Sequence, residues 1–408
     1  MPVSSVKKAL QKFLKQYTII RDCVAGEAQI KEKGDKYLPR PNETDTSNEN
    51  RARYDAYVTR AVFYNVVQRT LGGMVGQIFA RDPIIEIPTE LDVVKNDATG
   101  FGVRLVQLAK AASKLVVAYG RAGIYADYPV TDAPATKAQI DAGDIRPTIT
   151  LVDPWKIINW RTIKRGGREI LSMIVIEETY VKTDDGFEET EGKQWRVLLL
   201  NAFGEYVVNI WRDTQPLSIM QTFIPQDSTG KPLTEIPFTF IGSEDNDPTI
   251  DDPPLYDLAT LNIAHYRNSA DYEESCYIVG QPTPYFTGLT ENWVKEILKG
   301  TVQLGARAAV PLPMNSTAGL LQASENSMPF EAMQQKERQM VALGAKLVEQ
   351  QSVQRTATEA GLEHSDETSI LSAAADNVSD AITFALKWCG VFVGIQSEAE
   401  TQDDAKTK

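Results

Sequence analysis

Histidine is almost missing from this chain: His265 and His364 are the only two in 408 residues. Multi-histidine zinc sites and histidine-dependent nucleophiles therefore have little to draw on, and no HExxH helix occurs. Cysteine is scarce as well. Cys23, Cys276 and Cys389 stand far apart without CxxC spacing, which excludes a zinc knuckle, argues against a disulfide framework and leaves buried thiols as the ordinary reading. There is no GxxxxGK[ST] phosphate loop and no GxSxG nucleophile elbow. The "GFGVRL" stretch at 100–105 lacks the third glycine of a dinucleotide fingerprint. No 18-residue apolar run exists, and "MPVSSVKKALQKFLKQY" has no apolar core of a secretory signal, so a chain without membrane span or leader is expected in the cytosol. Positive charge is in deficit. With 42 Lys and Arg against 55 Asp and Glu, the formal net charge is −13, which argues against a broadly basic surface that grips nucleic acid but not against a surface past which it slides.

What is present is the composition of an ordinary folded protein, 42% hydrophobic and 24% charged, long enough for two or three domains. Helical periodicity comes first, strand periodicity in the middle, helix again at the end: an α+β chain. Residues 5–20 carry Val6, Leu10, Phe13, Leu14 and Tyr17 on one face. After the polar run 39–50, one long helix is expected from Asn50 to Phe79, weakened at Gly72 and Gly73, and "PIIEIP" at 83–88 reads as a short strand. A helix at 103–119 ends on Gly120, a suitable C-cap, and "RAGIYADYP" reads as a buried strand. From 146 the period turns to two through "PTITLVDP", "EILSMIVIEETYV", "KQWRVLLLNAFGEYVVNIW" and "IPFTFIG", with a hairpin turn at "NAFGE". The acidic loop "GSEDNDPTIDDPP" is no EF-hand, since Ile250 stands where the loop needs glycine.

Three further helices follow. Between Leu255 and Tyr277, Leu258, Ala259, Ile263, Tyr266 and Ala270 form an apolar arc, while Asp257, Thr260, Arg267, Asn268, Asp271 and Ser275 form a polar strip. Such a helix suits either the periphery of a globular domain or a ring whose lumen the strip lines. His265 falls at the apolar edge as a core histidine. The stretch 328–350 holds Phe330, Met333, Met340, Leu343 and Leu347, with Lys336 and Arg338 on its polar flank. A last helix is expected from Ser369, with Leu371, Ala374, Val378, Ala381 and Ala385 spaced for close packing. Ahead of it, "ATEAGLEHSDE" gathers Glu359, Glu363, Asp366 and Glu367 in one quadrant and turns His364 away. Without the Glu-x-x-His pairing of a dimetal bundle, that cluster reads as a solvated acidic face, and no catalytic, cofactor or metal residue is assigned.

The ordered series "ARYDAYVTRAVFYNVVQRTLGGMVGQIFARDP", "LAKAASKLVVAYGRAGIYADYP", "IRPTITLVDPWKIINWR" with "IVIEETYV", "HYRNSADYEESCYIVGQPTPYFTG", "QMVALGAKLV" and "RTATEAGLEHSDETSIL" resembles portal proteins of tailed bacteriophages. The resemblance implies an α+β portal fold with helical wing, stem and crown elements and a β-rich wing and clip module. It also implies a ring of about twelve subunits closed by cyclic symmetry. By that likeness 1–145 is a mainly helical wing region, 146–250 the wing/clip module, 251–290 the stem helix and its return, 291–350 wing and tunnel-loop helix, 351–395 a helical crown and 396–408 a disordered tail. The implied role is a non-enzymatic portal at a unique capsid vertex of the virion, assembled in the bacterial cytoplasm, through which double-stranded DNA is packaged and ejected. Implied partners are the terminase large subunit, major capsid and scaffold proteins and neck or adaptor proteins, with no membrane and no cofactor. Asp257, Arg267, Asn268, Asp271, Lys336 and Arg338 become candidate channel-facing residues, or else make ordinary surface links, and Glu359, Glu363, Asp366 and Glu367 the acidic face of the crown. Two other readings stand beside this one: a carboxylate-dependent metallohydrolase or nuclease, and another phage head or neck assembly protein.

Overall fold

A computed structural model describes residues 2–129, 145–184, 186–214, 217–297, 310–322, 324, 327–345 and 357–395, with backbone alone at 184, 345 and 357–370. The fold is mixed α+β. The chain begins with α1 (Lys8–Ala25), which buries Leu10, Phe13, Tyr17 and Ile20 at helical spacing, and continues through the short α2 (Glu27–Glu32). The single long helix expected from Asn50 is instead two, α3 (Asn48–Arg60) and α4 (Val66–Ile78). Tertiary contacts decide the break. The Val62 amide donates to Ser269 Oγ at 3.0 Å and the Tyr64 carbonyl accepts from Asn262 Nδ2 at 2.9 Å, so the interrupted backbone keeps its partners. Asn65 then caps α4 by accepting the Gln68 amide at 3.1 Å. Gly72 and Gly73 lie inside α4 without interrupting it, since a helical glycine costs only about 1 kcal/mol.

"PIIEIP" forms no strand. Prolines at both ends remove ladder donors, and no described strand lies alongside. After α5 (Asp92–Asn96), α6 (Leu105–Tyr119) ends on Gly120 at φ +69°, as expected for that residue. A Cβ there would stand 2.8 Å from the Asp252 carbonyl oxygen, so glycine is required twice over. The chain turns straight into the buried strand β1 (Arg121–Asp127).

Among the described residues eight strands lie between 121 and 242. After β1 come β2 (Thr148–Val152), β3 (Ile157–Arg165), β4 (Arg168–Asp184), β5 (Glu189–Leu200), β6 (Tyr206–Arg212), β7 (Ser218–Phe223) and β8 (Phe238–Gly242). They make two antiparallel sheets, β2-β1-β8 and the meander β3-β4-β5-β6-β7. The "NAFGE" turn is where periodicity placed it: Asn201 accepts the amides of Phe203 and Glu205 at 2.9 and 3.0 Å. Strands β3 and β7 were not expected, because β3 holds "RTIKR" and β7 is mostly exposed.

The remaining elements are α7 (Tyr256–Val279), the two-stranded β9 (Thr283–Thr287) and β10 (Thr317–Leu321), α8 (Met328–Ala345) and α9 (Ala357–Val393). Helix α9 starts twelve residues before the expected Ser369, so Glu359, Glu363, Asp366 and Glu367 are part of it, as the helix-forming residues of "ATEAGLE" allow. The chain divides into two discontinuous units, one of residues 1–25, 65–260 and 340–408, the other of 26–64 and 261–339. This differs from the serial segments read from sequence: β1 lies in the expected N-terminal region yet pairs with β2 and β8 of the β module. In the first unit, Ala374, Val378, Ala381 and Ala385 of α9 are buried, and that helix packs on α6, β1 and β8. Small side chains let it approach closely.

Candidate functional site

The candidate channel wall is the polar strip of α7 with the flank of α8. Within the second unit, α7 buries Ile263, Tyr266 and Ala270, as its apolar arc requires, while Tyr277 stays exposed. The strip is mostly engaged. Arg267 Nε donates to the Tyr37 carbonyl at 2.8 Å, Asp271 accepts the Tyr57 hydroxyl at 2.5 Å, and Asn268 Oδ1 accepts from Lys336 Nζ. One turn on, Glu274 holds Arg60, whose guanidinium also lies 4.2 Å from the centre of the Tyr277 ring. These bonds clamp α3 and α8 to α7. Asp257 and Arg338 are exposed, and neither side chain meets a partner among the described residues.

His265 is a core histidine, 3% exposed, with Nε2 3.1 Å from Glu337 and Nδ1 buried without a partner among the described residues. Burial pushes the Tyr266 phenol up to about 12, Glu27 adding to it, and burial with the Asp271 bond raises Tyr57 further. Both keep their protons at neutral pH; Tyr57 donates to Asp271, while the buried Tyr266 hydroxyl has no partner among the described residues. Among the described residues no three His, Cys, Asp or Glu side chains converge as a metal site would need. The side chains of Glu359, Glu363, Asp366 and Glu367 lie outside the described residues, as does the tail 396–408.

The first unit holds two polar constellations that sequence reading missed. Arg121, 1% exposed, lies 3.9 Å from the ring centre of Phe240 and 4.5 Å from that of Trp160. Its Nη1 donates to the carbonyls of Pro248 and Thr249, tethering the acidic loop. Burial lowers the guanidinium to about 10, against Tyr17 and Asp251, so it is still a cation at neutral pH. In the loop, Asp251 accepts Ser243 Oγ and the Glu244 amide, and Asp247 accepts the Thr249 amide and hydroxyl. These carboxylates fold the loop. The second constellation is Arg196, 2.8 Å from Glu178 and 3.5 Å from Asp127. Burial opposes its charge, yet Tyr125, Glu178 and Asp127 hold it above the ordinary arginine value. No pattern in "RAGIYAD" or "KQWRVLL" marks these arginines as buried cations; the partners of Arg121 come from β3, β8 and the loop at 248–249, and those of Arg196 from β1 and β4.

Comparison with known proteins gives a partial match. A family model described as a domain of unknown function, DUF4055, matches residues 254–393. The matched stretch takes in α7, β9, β10, α8 and α9. No curated protein matches. Among solved structures, a chain of the virion of native gene transfer agent (GTA) particle is similar at 13% identity with a TM-score of 0.39, over 93% of this chain and 98% of that chain. Among the described residues no helix is long and apolar enough to cross a membrane.

Proposed function

We infer that this chain is the subunit of a portal ring: a structural, non-enzymatic channel at one capsid vertex of a tailed-phage-like virion. The observation that carries the reading is the ordered series of segments from "ARYDAYV" to "RTATEAGLEHSDETSIL". The fold is compatible with it, since apolar side chains are left uncovered in a single copy. Met314 is 94% exposed, Leu321 68% and Val341 61%. Among the described residues strands β9 and β10 form a sheet of two, which is marginal in water unless something covers it. A second copy would supply that cover.

On this reading the net charge of −13 on every subunit repels phosphate and so holds DNA loosely, with repulsion screened beyond about 8 Å at physiological salt, and Arg338 is a candidate for one of the few attractive contacts. Asp257 and Arg338, exposed and without a side-chain partner among the described residues, are the wall candidates to test first; Arg267, Asn268, Asp271 and Lys336 carry internal bonds whose loss would disturb the unit itself. Terminase large subunit, capsid, scaffold and neck proteins are the proposed partners. The test is native mass measurement and electron microscopy of the purified full chain. A closed ring of about twelve copies with a central hole is expected, and a chain that stays single at every concentration overturns the reading. Binding to a terminase large subunit separates a portal from a neck ring.

A further inference from the structure

The five-stranded sheet carries opposite charge at its two ends. At one end the β3–β4 turn reads "RTIKRGGRE", with Arg161, Lys164, Arg165 and Arg168 all exposed on a chain of net charge −13. Gly166 and Gly167 close the turn at φ +56° and +81°, the left-handed pair that a two-residue hairpin needs. The register sets Arg165 directly opposite Arg168. Like charges so placed destabilise a hairpin. The neighbouring Glu169 accepts the Thr162 hydroxyl at 2.5 Å, Arg165 reaches the Thr234 carbonyl at 3.4 Å, and none of the four cations forms an ion pair among the described residues.

The other end is acidic. Strand β4 runs 17 residues from Arg168 to Asp184, about 50 Å at strand rise. There Asp184 pairs in register with Glu189, and Val181 with Glu191; Glu189 and Glu191 are exposed. That separation along one stiff strand prevents a copy from joining its own two ends.

We propose that the cationic β3–β4 hairpin is a docking surface for the anionic end of the β4–β5 hairpin on a second copy of this chain. Two different patches make the contact head to tail, and a head-to-tail contact repeated by a constant rotation closes into a ring. Opposite charge steers the encounter, while the repulsion of like ends disfavours a symmetric dimer. The contact rests on the ring reading above and names where its subunits meet.

The test uses full chains in sedimentation at low and high salt: wild type, Arg165→Glu/Arg168→Glu, Glu189→Lys/Glu191→Lys, and an equal mixture of the two variants. Each variant alone is expected to associate about tenfold more weakly or worse than wild type. The mixture regains association, which also shows that both variants fold, and high salt weakens wild type. Reversed variants that assemble like wild type overturn the contact and leave the ring reading standing. A mixture that stays apart overturns it as well. Wild type that never associates overturns both. A labelled DNA duplex held by wild type and released by Arg165→Glu/Arg168→Glu, with association unchanged, assigns the hairpin to nucleic acid and overturns the proposal.

Discussion

The Tyr57 hydroxyl donates to the Asp271 carboxylate across 2.5 Å, joining α3 to α7 within the second unit. Burial is the first cause of the raised phenol and the carboxylate bond the second, so the donor keeps its proton through the ordinary pH range. Tyr57→Phe leaves packing intact and removes one bond to a charged acceptor. A loss of about 1.5 kcal/mol is expected in urea unfolding. Asp271→Asn should cost less, because an amide oxygen still accepts. No loss from Tyr57→Phe would show that packing, not the bond, joins the helices.

Arg121 is where the first unit commits a buried cation to a loop. Aromatic rings lie against the guanidinium and two loop carbonyls accept from Nη1, while Nε and Nη2 have no partner among the described residues. Arg121→Ala is expected to destabilise by about 3 kcal/mol, from the lost ring contacts and the cavity together. Arg121→Met, which fills the space without charge, should recover most of that. Proteolysis between Glu244 and Asp252 checks the tether: both variants should be cut there faster than wild type, Met as fast as Ala.

Element types were legible wherever period and punctuation agreed, and the misses share a cause. Gly120 after "LVVAY" announced a helix end, and "NAFGE" a hairpin, because both are local backbone requirements. The break at 61–65 was not legible, since Ser269 and Asn262, some two hundred residues away, accept and donate where the helix stops. Strand β3 was hidden by "RTIKRGGR", whose charge breaks the alternation that marks a half-buried strand. Of the candidate wall, the polar strip of α7 was readable from its wheel. That Arg267 and Asp271 are committed to Tyr37 and Tyr57 was not, because those partners come from α3 and the turn before it.

Asp127 gives the first unit a pH dependence of defined sign. Burial raises its carboxyl above the usual 3.8, with Arg196 opposing. The folded chain therefore takes up this proton at higher pH than the unfolded chain. Its contribution to stability is full below 3.8 and declines as pH rises through the folded value. Asp127→Asn removes that decline, and Arg196 keeps Glu178. Measured by urea midpoints from mildly acidic to neutral pH, the variant should gain on wild type as pH rises. A gap that stays constant would mean Asp127 is ionised throughout.

Val341 separates folding from assembly. It is 61% exposed on α8, two residues from the half-exposed Leu343 and next to Met340, which is buried. A charge at an exposed helical position changes the stability of the single chain by no more than about 0.5 kcal/mol. In a ring that covers this surface with a neighbour, the same charge is desolvated once per interface, and a buried unpaired carboxylate costs several kcal/mol. Val341→Glu should therefore unfold at the urea concentration of wild type while failing to form the ring in native mass measurement. Loss of both would place Val341 in the fold, and loss of neither would leave α8 facing solvent in the assembly.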